Sequence, residues 1–142
     1  MNSTEPTNAP VPHLSDLPLR GSVLVDAVQS GFPVAWVDEI AARLNLARRS
    51  VAPYLGVSES TLRRRVSQGW LTTAESDRLY RLASTLNLCT ELFEGNAEAA
   101  AAWMLRPQFG LDGHCPIELL STHTGTELVR DLIGRLEHSV LV

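Results

Sequence analysis

The residues best equipped for chemistry are three consecutive arginines, Arg63, Arg64 and Arg65, preceded by Ser58, Ser60 and Thr61 and followed by Gln68. A guanidinium is a planar fork of donors that meets a phosphate, or the edge of guanine, in two parallel hydrogen bonds, and hydroxyl and amide groups complete such contacts. Every Lys or Arg position in the chain is an arginine. The other candidates are poorer. His114 beside Cys115, then His123 and His138, supply acid–base and nucleophile types without convergent spacing or a glycine-rich phosphate loop. Cys115 with His123 lacks two further ligands at a spacing that zinc uses, so loop or surface roles suit these residues better. No catalysis, metal or cofactor is expected. Cys89 and Cys115 form no close-spaced redox pair and read as free thiols of a reducing compartment.

The charge is distributed unevenly around the arginines. The net value over 142 residues is -4, which argues against a protein that coats nucleic acid indiscriminately. Residues 36–70, however, hold six arginines against three acids, whereas residues 71–142 hold five against ten. A basic block between acidic flanks marks one face for an anionic partner. With 44% hydrophobic and 20% charged residues, the chain has the composition of a folded globular protein. No segment approaches the roughly 20 apolar residues that span a bilayer, and the first residues carry neither a basic start nor an apolar stretch; the expected location is cytoplasmic.

Positioning the arginines requires helices. Residues 1–20 contain Pro6, Pro10, Pro12 and Pro18 among small polar residues and read as a flexible arm. From Val23 apolar residues recur at helical spacing: Val23, Leu24, Ala27 and Val28, then, after Gly31-Phe32-Pro33, Trp36, Val37, Ile40 and Leu44. Arg48–Leu55 and Glu59–Gln68 follow, the second capped by Ser58 and closed by Gly69. Thr72 with Glu75 has capping-box spacing and opens a long helix bearing Leu79, Leu82, Ala83, Leu86 and Phe93, ended by Gly95. Asn96 caps Ala97–Leu105, and Arg106-Pro107 stops it. After a loop over 108–115, Pro116 starts a short helix through Leu120. Thr124 with Glu127 predicts a last helix from Gly125 to about His138, with Leu128, Leu132, Ile133, Leu136 and Val140 as its apolar stripe. The fold class is all-α, divided into an arm (1–20), a helix-turn-helix bundle (21–94) and a small helical domain (95–142).

The strongest local signal lies at Val51–Leu62. A helix-turn-helix needs a small residue where its helices cross, a glycine able to take positive φ in the turn, and an apolar anchor on the second helix. Ala52, Gly56 and Leu62 meet these needs at the usual four- and six-residue intervals. The second helix then offers Ser58, Ser60, Thr61, Arg63, Arg64, Arg65 and Gln68 to a major groove, with Ser60, Thr61 and Arg64 nearest the DNA. The bland alternative is a helical hairpin with a solvated arginine face. Pro53 lacks an N–H and predicts that the first helix of the motif is shortened or kinked. One such unit makes few contacts, so a dimer reading two half-sites is expected.

The C-terminal half reads Trp103-Met104, Pro107, Leu111, Gly113, Pro116, Leu119-Leu120, Thr122, Gly125, Val129 and Leu132. In order and spacing it resembles the toxin-binding domain shared by the Xre, MbcA and ParS antitoxins. With the Xre/Cro-like helix-turn-helix before it, the resemblance covers about residues 23–142. Met104 stands where leucine is usual, and Ser139 where a glycine often ends the helix. The resemblance implies a toxin partner, typically of the RES fold, which destroys NAD+, and repression of the chain's own operon through operator DNA. It further implies a homodimer that assembles with toxin into a higher hetero-oligomer. A helical domain can silence an enzyme by placing a helix or chain end in its cleft. Ser139, Val140, Leu141 and Val142, with Arg135 and His138 on the preceding turn, are expected to do so, the terminal carboxylate pairing with a cationic phosphate site. Trp103, Leu119, Leu120 and Leu132 are expected in the core, and Gly113 and Gly125 to serve backbone geometry. The competing reading is a free-standing transcription regulator whose C-terminal half dimerises or senses a ligand.

Overall fold

A computed structural model describes residues 13, 14 and 21–140. It is helical, and among the described residues the one β feature is an antiparallel bridge between Pro33 and Trp70. The helices are α1 (Ser22–Ser30), α2 (Ala35–Leu44), α3 (Arg48–Val51), α4 (Glu59–Gln68), α5 (Thr73–Leu92), α6 (Ala97–Met104) and α7 (His123–Val140). Tight 3-10 turns occupy Ala52–Leu55, Phe109–Leu111 and Pro116–Ser121.

Local chemistry sets most of these boundaries. Ser58 and Asn96 accept the backbone N–H three residues on, at 3.1 and 3.0 Å, and so start α4 and α6. At Thr72 the full capping box forms: Glu75 N–H donates to Thr72 Oγ1 at 3.2 Å, and Thr72 N–H donates to Glu75 Oε1 at 2.9 Å. Gly69, at φ 94°, ends α4. The end of α5 differs from expectation by one residue. Glu94 takes the left-handed position at φ 56°, its N–H donating to Glu91 O at 2.9 Å, while Gly95 N–H reaches Thr90 O at 2.8 Å. That pair of bonds is the Schellman pattern, with a non-glycine residue in its left-handed site.

The 20-residue α5, about 30 Å long, is the axis of the molecule. It packs against α1, α6, α7 and the turns at Ala52–Leu55 and Pro116–Ser121. Being covered on several sides, it buries polar residues beside Leu79, Leu82 and Leu86. Their hydroxyls are satisfied within the helix: Thr85 Oγ1 donates to Arg81 O at 2.8 Å and Ser76 Oγ to Thr72 O at 2.7 Å. One continuous buried cluster runs from Leu24 through Ile40, Leu55, Leu62, Leu79 and Met104 to Ile133. The turn at Glu94-Gly95 separates α5 from α6, but the buried cluster does not divide there.

Two sequence expectations about the last helix, its bounds and its buried stripe, are corrected. The last helix begins at His123, two residues early, because Thr122 Oγ1, not Thr124, accepts Gly125 N–H at 3.0 Å. It also runs on to Val140, so Ser139 and Val140 are helical. Its buried face is Thr126, Val129, Leu132 and Ile133, with Leu136 half-buried, and Leu128 is 53% exposed. The buried spacing of three, three and one rotates the stripe away from residue 128. Of residues 1–20, His13 and Leu14 are described. Leu14 is buried, its N–H donating to Glu39 Oε2 at 2.7 Å, and the His13 ring contacts the same carboxylate. The rest of residues 1–20, Leu141, Val142 and the Val140 side chain lie outside the described residues.

Candidate functional site

The first helix of the helix-turn-helix is shortened, as Pro53 requires. Four residues of α-helix give way at Ala52 to a 3-10 turn that holds Pro53 near its start, where a missing N–H leaves no intrahelical bond unmade. Gly56 then takes φ 73°, and Val57 N–H closes the turn on Ala52 O at 3.2 Å. A Cβ at Gly56 would also stand 3.0 Å from Arg78 Nη1. Ala52, Leu55 and Leu62 are buried, which fixes α4 by its inner face.

The outer face of α4 carries Ser60, Arg63, Arg64 and Ser67, three or four residues apart and all exposed, with exposed Gln68 at its end. Arg63 also borders a shallow groove of about 290 Å³ with Ala47, Arg48, Arg49, Glu59, Leu62 and Val66. Arg48 Nε bonds Asp38 Oδ1 at 2.8 Å across an exposed surface, a contact of small energetic weight. The arrangement can present guanidinium groups and hydroxyls to a duplex while the helix stays anchored.

Two expected contact residues also make bonds within the fold. Arg65 lies on the Leu62 side of α4, and its Nε and Nη2 donate to Glu75 Oε1 and Oε2 at 2.8 and 3.1 Å. Its Nη1 reaches Gln68 Oε1 at 3.3 Å. The side chains of Arg65 and Glu75 are only 15% and 6% exposed. Burial pushes the Glu75 carboxyl up, but the hydrogen bonds and charge of Arg65 and the Thr72 donors outweigh it and hold the carboxyl below its ordinary range. The hydrogen bond to Glu75 raises Arg65 above its own. Arg65 is thus a strut between α4 and the start of α5. Ser58 is likewise engaged, capping α4 and bonding Thr61 Oγ1 at 3.0 Å; Thr61 is half-buried.

Helix α5 ties this unit to the C-terminal half. Arg78 Nη1 donates to Leu55 O at 3.2 Å, at the end of the motif's first helix. One turn on, Arg81 Nη1 donates to Leu120 O at 3.3 Å and Nη2 to Asp77 at 2.9 Å. The Ala52–Leu55 turn packs against the Pro116–Ser121 turn, so the two halves touch directly, and burial first, then the nearby Glu118 and Cys115, raise Tyr54 above its ordinary range.

In the C-terminal half, Gly125 is buried, and a Cβ there would fall 2.0 Å from Leu119 O. Only glycine lets α7 lie so close to the Pro116–Ser121 turn. Gly113 takes φ 84°. Leu120 and Leu132 are buried, while Trp103 and Leu119 are partly buried against the core. Arg135, His138 and Ser139 are exposed, and Ser139 Oγ bonds back to Arg135 O at 2.8 Å. Ser139 and Leu136 border an open groove of about 630 Å³ with Leu92, Phe93, Glu94 and Trp103. Cys89 and Cys115 are free thiols. Among the described residues no helix is long and apolar enough to cross a membrane.

The sequence reading missed Glu75 as a partner, Arg78 and Arg81 as links, and Phe109, which is fully exposed in the 108–115 loop. For Arg65 a signal was present: it sits three residues after Leu62, on the anchored face. The Arg78 and Arg81 contacts span 23 and 39 residues and leave no local trace.

Comparison with known proteins matches both halves. A family model described as the antitoxin Xre-like helix-turn-helix domain matches residues 23–84, and one described as the antitoxin Xre/MbcA/ParS C-terminal toxin-binding domain matches residues 89–138. The boundary between the two matches falls within α5. An Antitoxin Xre of Yersinia enterocolitica is 39% identical over 85% of this chain and 82% of its own length. Another, of Photorhabdus laumondii, is 33% identical over 80% of this chain and 78% of its own. With its helix-turn-helix and its toxin-binding domain built on one core, the chain belongs to the Xre antitoxin family.

Proposed function

We propose that this chain silences a RES-type toxin that destroys NAD+ by binding it directly and seating the end of α7 in its nucleotide cleft, while α4 represses the operon encoding the pair. The observation that carries the reading is the succession, on one buried core, of an arginine-bearing outer face on α4 and a toxin-binding domain ending in an exposed helix terminus. On the DNA side, Ser60, Thr61, Arg63, Arg64 and Gln68 contact the duplex, and Arg65 and Ser58 hold the helix that presents them. A homodimer places two α4 helices on two half-sites and, with toxin, forms a larger hetero-oligomer. On the toxin side, Arg135, His138 and Ser139 form the approach to the cleft, and Val140, Leu141 and Val142 enter it.

The test is expression of the neighbouring toxin gene with the chain, with and without residues 139–142, while cellular NAD+ is measured. The full chain restores NAD+ and growth. The truncated chain still binds its promoter DNA but leaves NAD+ depleted. Rescue by the truncated chain contradicts insertion of the tail, and a toxin that leaves NAD+ untouched contradicts the RES assignment.

A further inference from the structure

The loop after α6 holds a fully solvated aromatic ring on a rigid base. Phe109 is 101% exposed, yet its neighbours are fixed on both sides. Gln108 N–H donates to His114 O at 3.0 Å, and Gln108 O accepts from Leu111 and Gly113 N–H at 3.1 and 2.9 Å. The Gln108 side chain adds Nε2 bonds to Trp103 O and Arg106 O at 3.0 and 3.2 Å. Leu111 is buried, and Gly110 is pressed against α7, where a Cβ would stand 2.8 Å from Leu132 Cδ1. Asp112 adopts φ 55° to complete the turn. Single exposed apolar residues are common and by themselves carry no message. What sets Phe109 apart is that these five hydrogen bonds hold the backbone around its ring, and the next exposed large apolar side chain in sequence, Leu128, lies one helical turn from Leu132 on α7.

We infer that Phe109, together with Leu128 on the helix its turn packs against, is an anchor that inserts into an apolar pocket on the toxin, remote from the tail that blocks the active site. The inference rests on the reading of residues 89–138 as the toxin-binding domain, within which both residues fall. A rigid aromatic side chain loses little conformational freedom on binding and is the usual form of an interface hot spot. Leu128 precedes His138 by ten residues of helix, about 15 Å, which separates this contact from the end of α7. The anchor supplies affinity and the tail supplies inhibition.

The experiment measures binding of the full chain to the toxin encoded by the adjacent gene, purified in a catalytically inactive form, by calorimetry. Phe109→Ser raises Kd by about 30-fold or more, Leu128→Ser by less, and Phe109→Trp leaves it near wild type. The melting temperature and the Kd for promoter DNA stay unchanged in all three, because neither side chain is in the core. A Kd for Phe109→Ser within about threefold of wild type overturns the inference and leaves the antitoxin reading standing. A change in the mass of the toxin-free chain on Phe109→Ser overturns it in favour of self-association. Failure of the wild-type chain to bind the toxin overturns the antitoxin reading, and the anchor with it.

Discussion

Replacing Arg65 by alanine separates a strut from a base-reading arginine. The guanidinium makes two bonds to Glu75, at 2.8 and 3.1 Å, with both side chains largely shielded from water. Arg65→Ala leaves the carboxylate buried with the Thr72 N–H as its remaining charge-stabilising backbone donor. Stranding a buried charge costs about 3 kcal/mol, and the retained capping bonds reduce that to about 2 kcal/mol. For a chain of this size the melting temperature then falls by about 5–8 °C. The pH dependence carries a second signature. Glu75 has a depressed carboxyl pKa in the native state, so the stability it contributes is present above the unfolded value, near 4.3, and is lost as pH falls through the native value below that. In the variant, burial acts without the arginine and raises the carboxyl, so protonation relieves the strain. The gap in melting temperature between wild type and variant therefore narrows as pH is lowered from 7 to about 4. Circular-dichroism melts at a series of pH values, with duplex binding measured in parallel, provide the assay. A melting temperature within about 1 °C of wild type at pH 7, together with a loss of DNA affinity exceeding that of Arg64→Ala, refutes the strut and restores Arg65 as a direct contact.

Arg64→Ala is expected to behave in the opposite way: unchanged melting, about tenfold weaker binding to a duplex from its own promoter, and a salt slope shallower by about one. Gly125→Ala forces a Cβ to within 2.0 Å of Leu119 O, a backbone atom that cannot swing aside. It is expected to cost about 3 kcal/mol in a urea titration, whereas Gly134→Ala, with nothing within 4 Å, costs nothing measurable. Cys89 is buried, its thiol pushed up to about 12 by burial. Alkylation by iodoacetamide at pH 8 should reach it only through unfolding, so its labelling rate rises with urea; rapid labelling in buffer contradicts the packing.

What the sequence made legible was local. The glycine and the small residue of the helix-turn-helix turn, the Thr72–Glu75 box, the Asn96 cap and the effect of Pro53 each depend on residues within one or two turns of each other, so spacing sufficed. The failures are tertiary. Thr124-x-x-Glu127 has the spacing of a capping box, yet Gly125 must sit against Leu119 O, which draws the first turn of α7 back to a cap at Thr122. Leu128 satisfies a helical stripe, but the face that α7 buries is chosen by α5 and the Pro116–Ser121 turn. Counting arginines located the basic face, and only the fold shows that one of the three turns inward. The contacts made by Arg78 and Arg81 depend on where a helix places two side chains against loops far away in sequence. No periodicity encodes that register.

The central claim is that one small core carries a DNA-reading face and a surface that captures a toxin. Its most direct test is co-expression of the affinity-tagged full chain with the product of the neighbouring reading frame, followed by purification and by growth measurement. The expected result is a stable complex that survives the column, retains binding to promoter DNA and relieves the growth arrest. A chain that binds its promoter but neither retains the toxin nor restores growth contradicts the claim and favours a free-standing regulator.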